Sequence, residues 1–128
     1  MSSHHGLPEF ARALVDGLMA FQRYLTGILC PHAQTVHLSG GASGLHGWAE
    51  LKASTFAKPV ANCTLAEPSL LGCAMTALAA IGRYASIAEA QAALEPTYRT
   101  VLPDAVASRR IQAAEQRLRP LFHQLAQP

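Results

Sequence analysis

The stretch from Val36 to Gly44 constrains the fold most, because a short apolar run there breaks into a glycine-rich turn. It reads Val-His-Leu-Ser-Gly-Gly-Ala-Ser-Gly. Glycine allows positive φ values and close backbone approach to a ligand. A strand that ends in such a turn and opens a helix can present free N–H groups to a phosphate or an adenosine. The spacing matches neither G-x-G-x-x-G nor the P-loop, so a purely structural turn stays open beside a ligand-binding loop.

Composition narrows the class of protein. The chain has 128 residues, enough for one domain, and 50% of them are hydrophobic, so a packed core is expected. The formal net charge is only +2 and the basic residues are scattered, which argues against nucleic acid and acidic membranes as partners. The sequence lacks apolar runs of about 18 residues, and its first residues lack the features of a signal peptide, so we expect a cytoplasmic protein.

The cysteines and histidines give no sign of a metal site. Cys30, Cys63 and Cys73 lie far apart, without zinc-site spacing, and are expected to be small buried side chains in a reducing compartment. Among the histidines only His46 is a functional candidate, because it closely follows the glycine turn. His4 and His5 are assigned no role.

The first helix is predicted from Pro8 to about Ile28, and its apolar residues recur at a spacing of three and four. Gly17 inside it costs helix stability, so something is expected to pack closely there. The helix is therefore expected to be amphipathic, and its apolar stripe consists of Phe10, Ala11, Leu14, Leu18, Phe21, Leu25 and Ile28.

The rest of the chain alternates between strands and helices. The third helix is rich in small residues, and a capping box is expected at Ser86 and Glu89. The predicted elements are a strand at 34–39, a helix at 45–56, a strand at 58–63, helices at 70–81 and 87–94, an extended linker at 96–102 and a helix from 103–104 to about 124.

This order predicts an α/β fold with a largely parallel sheet. Two short strands leave both sheet edges unpaired and much helix surface uncovered. The chain is therefore expected to belong to a longer polypeptide or to a tight oligomer such as a homodimer.

Three blocks in order resemble the FGGY carbohydrate kinases. Residues 12–21 are similar to the family's helix pattern Arg-Ala-x-x-Glu-Gly-x-x-Phe, with Asp16 in place of Glu. Residues 38–60 follow Leu-Ser-Gly-Gly-Gly, then Leu-Trp, a helix and Arg-Pro-Val, and residues 67–74 resemble Glu-Ala-x-Ala-Leu-Gly-Ala-Ala. The tail also looks like the family's closing helix. The resemblance implies that residues 1–128 form the C-terminal segment of the ATP-binding domain, a partial ribonuclease H-like lobe of the actin and hexokinase superfamily.

The resemblance also implies a site. Backbone of Gly40, Gly41 and Ala42 would lie against the adenine and ribose of ATP, with Ser43 and Leu45 flanking the base. Gly72 would permit close packing beneath the loop as a further nucleotide-binding residue. The chain departs from the family pattern at four positions: Ala42 replaces the third glycine, Leu45 replaces a polar residue, Gly47 replaces an apolar residue before Trp48, and Ser54 replaces an aspartate.

The whole kinase would transfer the γ-phosphate of ATP, with Mg²⁺, to a hydroxyl of a sugar, with a pentulose as our first expectation. The family's catalytic aspartate and sugar-binding residues lie in the other lobe, so this sequence is expected to carry no catalytic and no metal-binding residue and to be inactive alone. Its partners would be ATP or ADP, and the sugar through the other lobe. The alternative is a stand-alone, non-catalytic α/β module that binds a nucleotide or a partner.

Overall fold

The computed structural model describes residues 6–125, and His4 and His5 lie outside them. Six helical segments and three short strands make up this part of the chain. In chain order they are α1 (Leu7–Leu29), β1 (Val36–Leu38), a 3-10 turn (Gly41–Gly44), α2 (Trp48–Phe56), β2 (Val60–Cys63), α3 (Pro68–Ala80), α4 (Ile87–Ala93), β3 (Tyr98–Val101) and α5 (Ala105–Leu125). The predicted helix-rich α/β fold is confirmed.

The strands form one mixed sheet in the order β1-β2-β3. β1 pairs parallel with β2, and Val36 lies opposite Val60. β3 pairs antiparallel with β2, and Val101 lies opposite Val60. The prediction of an extended linker at 96–102 and of a largely parallel sheet was therefore wrong. Tyr98, Thr100 and Val101 favour strand conformation, but the prolines on either side of them suggested a linker.

The main core lies between α2 and the sheet. Its buried members come from all three strands or from α2, and Ala53 and Val60 are completely buried. Ala42 of the 3-10 turn and Trp48 of α2 pack against the edge of this cluster. A second cluster joins α1 to α5 through Ala20, Tyr24 and Phe122. The glycine turn is thus seated on the core at the end of β1.

Apart from Phe21, which packs against Phe122 of α5, the apolar stripe of α1 does not face the core. The buried residues of α1 are Met19, Ala20 and Tyr24, on the other side of the helix. Leu14 is 69% exposed, whereas Met19 is 1% exposed. A Cβ at Gly17 would meet nothing within 4 Å, so the expected close packing against Gly17 is also absent within the described residues. The periodicity identified the helix correctly, and the exposed stripe agrees with the expectation that the small sheet leaves much helix surface uncovered.

The small residues of α3 are also mostly exposed, and Met75 is its buried residue. Cys63 is buried as expected, but Cys30 and Cys73 are exposed, so the expectation that all three cysteines are buried was wrong. Both exposed cysteines lie on surfaces that this chain does not cover, Cys30 at the end of α1 and Cys73 on α3.

The helix ends follow local capping rules. Ser86 accepts the N–H of Glu89 at 3.1 Å, as expected of an N-cap. The Glu89 carboxylate reaches back to the N–H of Ala85 at 2.6 Å rather than to that of Ser86. Gly82 follows the α3 segment with φ +75, the left-handed conformation that commonly ends a helix and that glycine adopts without strain. Between residues 6 and 125, no helix is long and apolar enough to cross a membrane.

Candidate functional site

The glycine turn closes on itself immediately after β1. Gly40 has φ +82 and ψ −166, a conformation open essentially only to glycine. Its carbonyl oxygen accepts the Ser43 N–H at 2.9 Å and the Ser43 hydroxyl at 2.7 Å. These two hydrogen bonds hold the start of the 3-10 turn in one shape.

The turn leaves backbone donors unused. Within the described residues, the N–H groups of Gly41 and Ala42 have no protein acceptor. A Cβ at Gly41 would meet nothing within 4 Å, and Gly41 is exposed. The turn therefore has two amide donors without a protein acceptor, one on the exposed Gly41 and one on the half-buried Ala42, of the kind that bind an anion or a polar ligand.

Asn62 of β2 anchors the turn by a side-chain hydrogen bond. The sequence analysis did not identify Asn62 as a residue of the site. Its side-chain amide donates to the carbonyl oxygen of Ser43 at 3.0 Å, although Asn62 is 6% exposed. The Asn62 Oδ1 atom is buried and has no hydrogen-bond partner in the described structure. The signal was available, because a single amide side chain inside the apolar strand Val60–Cys63 has to find a partner.

Replacing Asn62 by aspartate should lower the free energy of unfolding by about 1.5 kcal/mol at pH 7, because an ionised carboxylate cannot donate to the Ser43 carbonyl. Gln34→Glu is the matched control, since the exposed Gln34 amide also donates to a carbonyl, that of His32 at 2.9 Å. That variant should change stability by less than about 0.5 kcal/mol, because its groups remain solvated. Urea unfolding compares the two, and equal effects would contradict an anchoring role for Asn62.

Trp48 stands at the start of α2, close to the turn. The N-cap Gly47 has φ +74, which turns the chain into the helix, and the Trp48 N–H donates to the Leu45 carbonyl at 3.2 Å. The indole is half-buried against the core, and its Nε1 atom is buried without an acceptor among the described residues. A single tryptophan in this position is a suitable spectroscopic reporter for the loop.

The structure brings together five of the six predicted site residues. Gly40, Gly41, Ala42, Ser43 and Leu45 form one continuous surface segment; Leu45 is 56% exposed, and the neighbouring His46 is also exposed. Gly72 lies on α3 and is exposed, and a Cβ there would meet nothing within 4 Å. The prediction of close packing at Gly72 is therefore wrong among the residues that the structure describes.

A groove of about 570 Å³ lies elsewhere, between α1, α2 and the start of α5, and its lining contains no residue of the glycine turn. It is lined partly by Arg12, Glu50, Asp104 and Arg110. Most of its polar groups serve the fold. Asp104 caps α5 by accepting the Ala107 N–H at 2.6 Å, and its own N–H donates to Ser54 at 3.2 Å.

Two ionisable groups near α1 have shifted pKa values for structural reasons. The hydrogen bond and charge of Asp16 raise the pKa of Arg12. Partial burial lowers the pKa of Lys52, whose ammonium group donates to Gln22 at 2.8 Å and so ties α2 to α1. Both groups stabilise helices rather than form a reactive centre.

The described residues contain no group of three or more His, Cys, Asp or Glu side chains placed to hold a metal ion. The glycine turn itself carries only glycine, alanine and serine. These residues do not fit a Mg²⁺ site, because Mg²⁺ is bound in proteins mainly through carboxylates and phosphates.

The strand, glycine turn and helix form an α/β unit of the kind that presents backbone amides to a ligand. The family model for the "FGGY family of carbohydrate kinases, C-terminal domain" matches residues 1–81. The chain therefore belongs to the FGGY family of carbohydrate kinases. The match includes the glycine turn and Gly72, and it ends before α4.

An L-fuculokinase of Haemophilus influenzae is 31% identical over 72 residues. That similarity covers 56% of this chain but only 15% of the relative, so the chain spans a small part of that enzyme's length.

Proposed function

We propose that this chain forms the ATP side of a cytoplasmic carbohydrate kinase and binds adenosine through the backbone of its glycine turn. Gly40, Gly41 and Ala42 would lie against the adenine and ribose. The observation that carries this proposal is the pair of free amide donors, at Gly41 and Ala42, on an open turn that Gly40 shapes. Ser43 and Leu45 would flank the base, where the exposed Leu45 side chain can give apolar contact but no hydrogen bond to the base edge.

Gly72 is proposed to leave room for the nucleotide. A Cβ there would meet nothing, so its value as a glycine must come from something other than the packing of the described residues. Its place within the matched segment supports a role on the nucleotide side.

The reaction of the complete kinase is proposed to be transfer of the γ-phosphate of ATP to a sugar hydroxyl, with Mg²⁺ held outside this chain. Phosphoryl transfer needs a group that orients the acceptor hydroxyl and cations around the phosphates, and the described residues supply neither at the turn. This chain alone is therefore proposed to be inactive. A pentulose is the proposed acceptor, and the name of the L-fuculokinase relative adds L-fuculose as a second sugar to assay.

The proposal is tested by titrating ADP while recording the fluorescence of Trp48. We expect a saturable change that Gly41→Asp abolishes, because a carboxylate there would occupy the ligand's place and repel its phosphates. The substitution should not disturb the fold, since a Cβ at Gly41 meets nothing within 4 Å and its φ is ordinary.

Gly27→Asp is the matched control, because Gly27 on α1 is also exposed, with open space around its Cβ position. It should bind ADP as the parent chain does. A flat titration of the parent chain, or equal loss in both variants, would contradict adenosine binding by the turn and leave the stand-alone partner-binding module as the better explanation.

A further inference from the structure

Asn62 is a buried polar residue that the packing of the sheet does not explain. It lies two positions after Val60 on β2, so both side chains lie on the face of the sheet that α2 covers. Val60 is completely buried there, and Leu38, which lies opposite Asn62 on β1, also belongs to the apolar core. The surroundings of Asn62 would therefore suit an apolar side chain.

The side-chain amide of Asn62 uses only one of its two ends. Its nitrogen donates to the Ser43 carbonyl at 3.0 Å, whereas Oδ1 is buried and has no partner among the residues that the structure describes. A buried acceptor without a partner costs free energy, because it has lost its hydrogen bonds to water. A leucine of similar size would avoid this cost, so the reason for an asparagine lies in its hydrogen bond to Ser43.

That hydrogen bond joins the glycine turn to the sheet. Asn62 lies near the carboxyl end of β2, beside the point where the parallel strand β1 leads into the turn. Ser43 donates its N–H and its hydroxyl to the Gly40 carbonyl, at 2.9 and 2.7 Å. Gly41 and Ala42, whose N–H groups have no protein acceptor, lie between these two bonded residues. The Asn62 amide thus holds the end of the segment that carries the free donors.

We propose that Asn62 is a positioning residue for nucleotide binding. Its hydrogen bond to the Ser43 carbonyl keeps the free N–H groups of the turn in one arrangement before the nucleotide binds. This inference rests on the proposed function of the turn. Without the bond the turn adopts several shapes, and only a fraction of the molecules is ready to bind. The apparent dissociation constant for the nucleotide then rises by the inverse of that fraction.

Asn62→Leu separates this role from a role in folding. The variant removes the donor to Ser43 and also the unpartnered Oδ1 atom, at nearly constant side-chain volume. The two effects on stability oppose each other, so we expect a urea midpoint of unfolding close to that of the parent chain. The dissociation constant for ADP, measured by the fluorescence of Trp48, should nevertheless rise about tenfold, as expected for the loss of one hydrogen bond.

Asn62→Asp gives a second readout, the pH dependence of ADP binding, which stays informative if Asn62→Leu perturbs folding. Burial beside a carbonyl oxygen raises the pKa of a carboxyl group introduced here, because both disfavour its ionised form. Arg99, which lies opposite Asn62 on β3, opposes this effect only weakly, since it is exposed and pairs with Glu50 of α2 at 3.5 Å.

The protonated carboxyl group can donate to Ser43, whereas the carboxylate cannot. ADP binding by Asn62→Asp should therefore be about tenfold weaker than that of the parent chain at about pH 8. It should approach the parent value as the pH falls to about 5, whereas Asn62→Leu should stay weak throughout. Comparison with the parent chain at each pH removes the effect of the ionisable groups that both chains share.

Met19→Ala is the control for a loss of stability alone. Met19 is 1% exposed on α1 and lies outside the core cluster that packs against the turn. Under conditions that keep it folded, this variant should bind ADP as the parent chain does. Gln34→Glu is the control for the added charge, because the exposed Gln34 amide donates to the His32 carbonyl at 2.9 Å. Its affinity for ADP should equal that of the parent chain at both pH values.

An Asn62→Leu variant that folds and binds ADP with the parent affinity would overturn this inference and leave adenosine binding by the turn intact. The same holds for an Asn62→Asp variant whose affinity relative to the parent chain does not change with pH, and for equal weakening by Met19→Ala. A parent chain that does not bind ADP would contradict the proposed function itself, and this inference with it.

Discussion

Met19→Ala is expected to lower the free energy of unfolding by about 2–4 kcal/mol, because it removes the largest part of a fully buried side chain and leaves a cavity. Met19 is 1% exposed and lies on the side of α1 that packs into the molecule. The loss is large for a small domain, whose whole stability is about 5–15 kcal/mol. Chemical denaturation followed by far-UV circular dichroism measures it.

Leu14→Ala is the control. The sequence pattern places Leu14 on the apolar stripe of α1, and the structure leaves it 69% exposed. Leu14→Ala should therefore change the free energy of unfolding by less than about 0.5 kcal/mol. A larger effect of Leu14→Ala would contradict the orientation of α1.

The case of α1 shows which part of the fold the sequence can predict. A spacing of three and four residues identifies a helix whatever its apolar side packs against. The core of this chain instead takes Met19, Ala20 and Tyr24 from another side of α1, where Tyr24 and Ala20 meet Phe122 of α5. Which side of α1 is buried depends on where α5 packs. The residues of α1 do not indicate this position, because α5 is distant in sequence.

The sheet shows the same limit. β1 and β2 were predicted because apolar residues and turn signals bound them. β3 lies between prolines and exposes three of its four residues, so its strand character comes mainly from pairing with β2. An edge strand of this kind has a weak apolar pattern and becomes recognisable through its partner.

The glycine turn was easier to predict because it depends on local backbone geometry. Consecutive glycines after a strand indicate a turn with exposed amides, and the structure places such a turn at Gly40–Gly44. The hydrogen bond from Asn62 to the Ser43 carbonyl was not predicted, because it joins residues that are 19 positions apart in the sequence. The environment of Gly72 was predicted incorrectly because it depends on what covers α3.

Gly40→Ala is expected to lower the free energy of unfolding by about 1–3 kcal/mol, because a residue with a Cβ is strained at φ +82 and ψ −166. The cost comes from the backbone alone, since an added Cβ would meet nothing within 4 Å. The chain can relieve this strain by changing the turn, which would break the hydrogen bonds from Ser43 to the Gly40 carbonyl. The free amides of Gly41 and Ala42 would then move, so ADP binding should weaken by at least tenfold.

Gly41→Ala is the matched control, because Gly41 is the next residue, has open space around its Cβ position and does not need positive φ. It should leave stability unchanged or raise it slightly, since alanine has less conformational freedom in the unfolded chain. Thermal unfolding and ADP titration of both variants separate strain from ligand contact. Loss of stability in both would mean that the whole turn is strained. Loss in neither would mean that Gly40 does not set its shape, and the proposal that the turn is prearranged for adenosine would fail with it.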